Sequence, residues 1–286
     1  MQLPTKTILK MQARALTRSQ SMKQELEAAA VFAPWQQQLS AAPQILVALS
    51  GGLDSTVLLH LLATAVPAER LCAVHVHHGL SANADCWQAS VEDYCQSLGV
   101  RLHSAAVEVT ATGEGVEAAA RSARYQIFEE LLQQGGLLML GHHADDQVET
   151  VLMQLFRGTG LHGLTGIPDF RNDSIHVCRP LLGYTKNQIR NFAKEYSLTF
   201  VEDSSNEKND YTRNLIRNKL LPTIQEVYAQ ATENVLDTVA RLKEAEVIVN
   251  NTIAAFWKKG KKTRHGIETI SIQHWKKVKD NHTYTW

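Results

Sequence analysis

The chain has 286 residues, room for one large domain or two modest ones at roughly 150 residues each. Hydrophobic residues are 44% and charged residues 20%, which excludes wholesale disorder, and no apolar run approaches the ~18 residues of a transmembrane helix. Lys plus Arg equals Asp plus Glu, at 29 each, so net charge excludes no partner and only its distribution is informative.

In chain order, residues 1–40 read as a partly basic N-terminal extension, helical or disordered. Lys6, Lys10, Arg14, Arg18 and Lys23 precede the first acid, and Met22 is a second candidate start. A transit peptide is the weaker reading; no secretory apolar stretch follows, so a cytoplasmic protein without membrane attachment is expected. Residues 41–220 alternate strand and helix patterns and form the expected catalytic domain. Strands are predicted over 44–49, 71–76, 101–109, 137–140 and 176–181, and helices over 54–65, 83–98, 115–134 and 145–157. This alternation predicts an α/β fold: a Rossmann-like, mostly parallel sheet with helices on both faces. Right-handed crossovers then gather the loops that follow the strands along one carboxyl edge, where ligands bind. Residues 221–286 read as a smaller helical region. Helices are predicted over 186–196, 211–220 and 229–257, with Pro222 dividing the last two. Over 258–279 eight Lys and Arg residues face one acid, Glu268, making a basic tail. Cys72, Cys86, Cys95 and Cys178 form no CxxC and read as reduced, mostly buried thiols.

The strongest chemical signal is Ser50-Gly51-Gly52-Leu53-Asp54-Ser55-Thr56, between an apolar strand and an apolar helix. Paired glycines let the backbone approach an anion, and N–H groups at a helix start hold phosphate oxygens. Ser50 and Ser55 add hydroxyls. Asp54 would repel phosphate, so a carboxylate here makes sense as a magnesium ligand. The alternative is a tight turn whose Ser and Asp act as caps. The segment is not a Walker A loop, because no Lys follows the glycines.

Two further segments fall at strand ends: His75-Val76-His77-His78 and His142-His143-Ala144-Asp145-Asp146. Zinc is the weaker reading, since the histidines sit on different strands without cysteine at a ligand spacing. In the helix that follows, Val148, Val151, Leu152, Leu155 and Phe156 form a predicted buried stripe, leaving Asp146, Glu149, Thr150 and Arg157 on the opposite face. Those acids are either solvated or bind a cation or amine. On the 115–134 helix, Val116, Ala120, Ala123, Ile127 and Leu131 point inward. Arg124 lies at the stripe's edge, suited to a phosphate or to a surface salt bridge.

The glycine loop resembles the SGGxDS loop of the N-type ATP pyrophosphatases. The wider text resembles one family, the bacterial tRNA(Ile)-lysidine synthetases, through SGGLDST at 50–56, HVHHGLS at 75–81, EAAARSARY at 117–125, GHHADDQVET at 141–150, RGTG at 157–160, RPLL at 179–182 and VEDSSN with Y-RN-IR at 201–217. The resemblance implies an adenine nucleotide alpha hydrolase-like fold. It implies an ATP-dependent, C–N bond-forming ligase whose partners are free L-lysine and tRNA(Ile) with a CAU anticodon. ATP would adenylate the wobble cytidine at its C2 carbonyl oxygen, and the lysine ε-amine would displace AMP. Lysidine pairs with A, so the codon read changes from AUG to AUA.

Carried over residue by residue, Ser50, Gly51, Gly52, Leu53, Asp54 and Ser55 bind ATP, with Asp54 also holding Mg2+. Asp54, Arg124, His142 and Asp146 serve adenylation, and Arg124 balances charge developing on phosphate. Asp146 and Glu149 receive the lysine ammonium; Arg213, Asn214 and Arg217 contact tRNA. Many relatives continue into a further tRNA-binding domain, so the 221–286 region reads as a shortened one, with the basic tail either functional or accidental. Oligomeric state stays open, a homodimer included. The rivals are another tRNA-modifying enzyme of the superfamily, such as a thiolating one (although the expected cysteine pairs are missing), and a non-catalytic tRNA- or nucleotide-binding relative.

Overall fold

The computed structural model describes residues 26–77, 84–107, 116–201, 212–264 and 267–270. A six-stranded sheet runs in the order β3-β2-β1-β4-β6-β5. β1 (Ile45–Ala48), β2 (Leu71–His77), β3 (Arg101–Ala106), β4 (Leu137–Met139) and β6 (His176–Cys178) are parallel, whereas β5 (Phe170–Asn172) pairs antiparallel to β6 at the edge. The expected mostly parallel sheet is present.

Alternation along the strands divides the core in two. Ile45, Val47, Leu71, Ala73, Leu137 and Met139 face one side. They meet α1 (Ala28–Phe32), α2 (Gln36–Ala41), α3 (Leu53–Ala65), α4 (Ala84–Leu98) and, later in the chain, α8 (Lys186–Glu195). Leu46, Cys72, Val74, Leu138 and Val177 face the other side, against Phe128, Tyr125 and Ile127 of α5 (Val116–Leu131). Leu26, Val31, Phe32, Trp35 and Leu39 are buried in the first cluster, so residues 26–40 already contribute to the core. The basic residues of the extension lie outside the described residues.

The loop at the end of β4 leads into α6 (Ala144–Phe156), followed by the short α7 (Leu161–Leu164). The predicted 176–181 strand is shorter than expected. It stops at Cys178, because Pro180 lacks an N–H for the ladder and opens a 3-10 turn, Pro180–Gly183. β5 had no alternation long enough to announce it.

α9 (Thr212–Leu215) runs through a π-helical turn, Ile216–Leu220, into α10 (Leu221–Val227). Pro222 therefore does not divide the helices as expected. It occupies the first turn of α10, where a missing N–H is tolerated, and the Leu221 N–H reaches back five residues to Ile216 O. The break falls after Val227, before α11 (Ala231–Gly260). In the basic tail, β7 (Lys261–Arg264) and β8 (Ile267–Ile270) make a two-stranded antiparallel ribbon rather than more helix. Among the described residues no helix is long and apolar enough to cross a membrane.

Candidate active site

The Ser50–Ser55 loop lies between β1 and α3 at the carboxyl edge. Leu49 N–H donates to Val74 O at 2.8 Å, holding the loop's entry to the neighbouring strand. Gly51 has φ +84°, a conformation that L side chains rarely adopt, and a Cβ there would come 3.0 Å from Val91. Ser50 Oγ and Ser55 Oγ lie 3.0 Å apart, and Ser50 N–H donates to Ser55 Oγ at 3.2 Å. Gly52 N–H donates to Ser50 Oγ at 3.3 Å, and Val201 N–H, in the segment after α8, donates to Gly51 O at 2.9 Å. The loop is thus tied from within and from outside, with the start of α3 behind it. A loop so tied, opening a helix, has the geometry that holding phosphate oxygens would need.

The second half of the site comes from the loop after β4. Gly141 touches the start of α3: a Cβ there would lie 3.0 Å from the Asp54 carbonyl carbon and 3.1 Å from Ser55 N. That approach brings His143 to the acids. His143 Nε2 is 3.6 Å from Asp54 Oδ2 and 3.6 Å from Asp146 Oδ2, and Nδ1 is 3.4 Å from Asp145 Oδ2. Burial disfavours the imidazolium, but the carboxylates of Asp145, Asp146 and Asp54 close around it outweigh that, and the His143 pKa is raised. His143 N–H also donates to Asp146 Oδ2 at 3.1 Å, which fixes that carboxylate at the first turn of α6.

The two adjacent aspartates do different work. Asp145 Oδ2 accepts from Lys186 N at 2.8 Å and so caps α8. Asp146 faces the loop after β1. Burial works against its charge, yet His143, Arg213 and His142 pull its pKa below the ordinary value. Burial raises the pKa of Asp54, and Oδ1 of Asp54 is buried without a partner among the described residues. An unpartnered carboxylate oxygen beside the Ser50–Ser55 loop fits a magnesium ligand.

His142 is the opposite of His143. Burial, together with Arg179, Arg213 and Arg121, drives its pKa down to about 4 against the pull of Asp146, so it is neutral near pH 7. Its Nδ1 is buried without a partner among the described residues.

Glu149 is 0% exposed, not solvated. Arg217 donates from Nε to Oε1 at 2.6 Å and from Nη2 to Oε2 at 2.9 Å, and Arg213 Nε donates to Oε2 at 2.9 Å. Arg217 Nη2 also reaches Asp146 Oδ1 at 3.2 Å. The residues expected to meet tRNA are therefore brought onto the residues expected to meet lysine. The buried stripe of α6 holds at Val148 and Val151 but fails at its end, where Leu155 is 53% and Phe156 66% exposed. Asn214 shares α9 with Arg213, and Arg124 is half-buried on α5, three residues beyond Arg121.

Residues 19–224 match the family model described as the PP-loop domain. The chain belongs to the PP-loop family. Among curated proteins this PP-loop chain is 42% identical over 227 residues to the tRNA(Ile)-lysidine synthase of Pseudomonas syringae, covering 78% of this chain and 50% of that one. It is 41% identical over 221 residues to the enzyme of the same name from Escherichia coli O157:H7, covering 76% and 51%. The chain spans about half the length of these relatives. Among solved structures, the U34-tRNA thiolase of Methanococcus maripaludis, with its [4Fe-4S] cluster, matches 75% of this chain and 80% of its own at TM-score 0.56 and 15% identity, a likeness of fold. In this PP-loop chain Cys72, Cys95 and Cys178 are buried free thiols.

Sequence reasoning passed over His143, the residue that joins both halves of the site; its signal was a histidine at the residue preceding a helix of acids. It also assigned no role to Arg121, Arg171 or Arg179. The 78–81 part of HVHHGLS and residues 202–211 lie outside the described residues.

Proposed function

We propose that the protein ligates L-lysine to C2 of the wobble cytidine of CAU-anticodon tRNA(Ile) through an adenylated cytidine, converting ATP to AMP and pyrophosphate. The observation that carries this reading is the juxtaposition of the Ser50–Ser55 loop, through His143, with Asp146 and the fully buried Glu149 on the helix that follows β4. A polyphosphate and a cationic amine thereby find complementary groups on facing loops. The relatives' name supplies the substrate class.

In this reading Ser50, Gly51, Gly52, Leu53 and Ser55 hold the ATP phosphates. Asp54 holds Mg2+, with Asp146 beside it; when bound, the ion neutralises charge on the departing pyrophosphate. His142, neutral near pH 7, offers a hydrogen bond without adding charge. Arg124 balances the anion that develops at the α-phosphate. Asp146 receives the lysine ammonium. Glu149 shares that task only by exchanging one of its guanidinium partners for the ammonium, so lysine entry and the Arg213–Arg217 contacts are coupled. Those arginines, with Asn214, meet RNA through whatever donors the carboxylates leave.

The test uses purified protein, a CAU-anticodon transcript, Mg·ATP and radiolabelled lysine. The expected result is label in acid-precipitable RNA that needs ATP and disappears when the wobble C is replaced by U. Nucleotide-dependent RNA binding with no label incorporated favours the non-catalytic rival.

A further inference from the structure

Three arginines from three elements converge on one ring. Arg121 of α5 places its Cζ 5.1 Å from the Tyr125 ring centroid, and Arg171 of β5 places its Cζ 5.2 Å from it. Arg179, at the end of β6, is 4% exposed. Its Nη1 donates to Pro168 O at 2.8 Å, while Arg179 Nε and Tyr125 Oη are buried without a hydrogen-bond partner among the described residues. Among the described residues, the carboxylate paired with the cluster is Asp173, 2.8 Å from Arg171 Nε and largely exposed. Burial lowers the Arg179 pKa most. Tyr125 opposes that shift, and the charges Arg171 and Arg121 add to it. His142 feels Arg179 and Arg121 as well, so the cluster borders the active site.

Guanidinium groups stacked on an aromatic ring repel one another and gain when an oxyanion bridges them. We propose that Arg121, Arg171 and Arg179, gathered around Tyr125, bind a phosphate of the RNA strand next to the target base. The proposal rests on the RNA-modifying reading above. The glycine loop follows β1, and the cluster lies on β6 and β5, beyond β4. Two strand spacings, about 10 Å, separate β1 from β6. The cluster is thus offset from the glycine loop, and a parallel Mg·ATP measurement separates an RNA phosphate from those of the nucleotide. An unstacked base delivered to the site needs its flanking backbone anchored, and Arg groups are suited to that.

The experiment measures binding of a CAU anticodon stem-loop RNA by fluorescence anisotropy across a KCl series, and of Mg·ATP by equilibrium dialysis. It compares the natural chain with Arg121→Gln, Arg171→Gln and Arg190→Gln. Arg190 is exposed on α8, against the opposite face of the sheet, and serves as the charge control. Arg121 is exposed, so its loss leaves the fold intact. Arg121→Gln and Arg171→Gln are each expected to weaken RNA binding several-fold and to flatten the slope of log K against log[KCl] by about 0.7 to 1. Arg190→Gln and the affinity for Mg·ATP should not change. An unaltered RNA slope overturns the proposal, as does an equal effect of Arg190→Gln. Weakened ATP binding with the RNA slope unchanged assigns the cluster to the nucleotide and also overturns it. If the natural chain binds no stem-loop, the RNA-modifying reading falls with it; if it binds and the substitutions are silent, only this inference falls.

Discussion

Asp54 and Asp146 share one imidazole, yet their protonation is pushed in opposite directions. Asp146 is held ionised by His143 and Arg213; Asp54 is left buried with an oxygen unpartnered among the described residues and a raised pKa. A raised carboxylate pKa costs stability at neutral pH, so Asp54 is a residue that the fold carries for function. Asp54→Asn is expected to reduce ATP turnover at least about a hundredfold while leaving the melting temperature equal or higher. Parallel pyrophosphate-release and thermal-melt measurements check both halves, and a lowered melting temperature counts against the assignment. The two histidines give a pH signature. The folded pKa of His142, about 4, lies below its unfolded value, so its contribution to stability is full above about pH 6.5 and declines as pH falls toward 4. His143 has a raised pKa, so its contribution is full below about pH 6.5 and is lost as pH rises through its folded value. Urea midpoints between pH 6.5 and about 4.5 should therefore fall in the natural chain and flatten in His142→Asn. The acids and glycines of the site were legible in the sequence because each residue type answers one chemical need at a fixed spacing. His143 was not, since which of two adjacent histidines turns toward Asp54 depends on Gly141 packing against α3.

α6 is the element that decides the site. Its first turn carries Asp145 to α8 and Asp146 to the loop after β1, and its second turn carries Glu149 to the arginines of α9 and the π turn. Arg217→Ala leaves a buried carboxylate with half its partners and is expected to cost about 3 kcal/mol. Adding Glu149→Gln to it should restore part of that loss, because the stranded charge is gone; urea unfolding of both variants reads this directly. A cost for Arg217→Ala no greater than that of an exposed ion pair would mean that the pair does not form. Gly141→Ala drives a Cβ into the backbone of α3 and should cost about 1 to 3 kcal/mol, with weaker ATP binding as the accompanying sign. The sequence showed α6 by its apolar period, but the period ran on through Leu155 and Phe156 where no neighbour covers them. Periodicity reports what a face can bury, not what lies against it. Pro222 misled for a related reason: proline stops a helix from within yet is at home in its first turn.

The whole molecule places chemistry at the switch in strand order. Successive strands move from β1 out to β3, and the chain then returns to β4 on the other side of β1, so the loops after β1 and β4 face each other across a crevice. That architecture was legible from the alternation of strands and helices. The antiparallel β5 edge, the burial of Phe32 and Trp35, and the docking of α11 were not, because each depends on partners distant in sequence. α11 is held by Lys243 Nζ, 2.5 Å from Asp169 Oδ1 and 3.2 Å from Ile167 O, and by His162 against Glu246. Lys243→Ala should cost under about 1 kcal/mol, as expected of a partly exposed pair, and a larger loss on thermal unfolding would show that α11 depends on this contact more than its exposure implies. The proposed transfer of AMP to one cytidine is read most directly with ATP labelled at the α-phosphate, a CAU-anticodon transcript and no lysine. The expected result is label in the acid-precipitable RNA, lost as free AMP when lysine is added. Label that never enters the RNA, or enters equally when the wobble base is U, would contradict it.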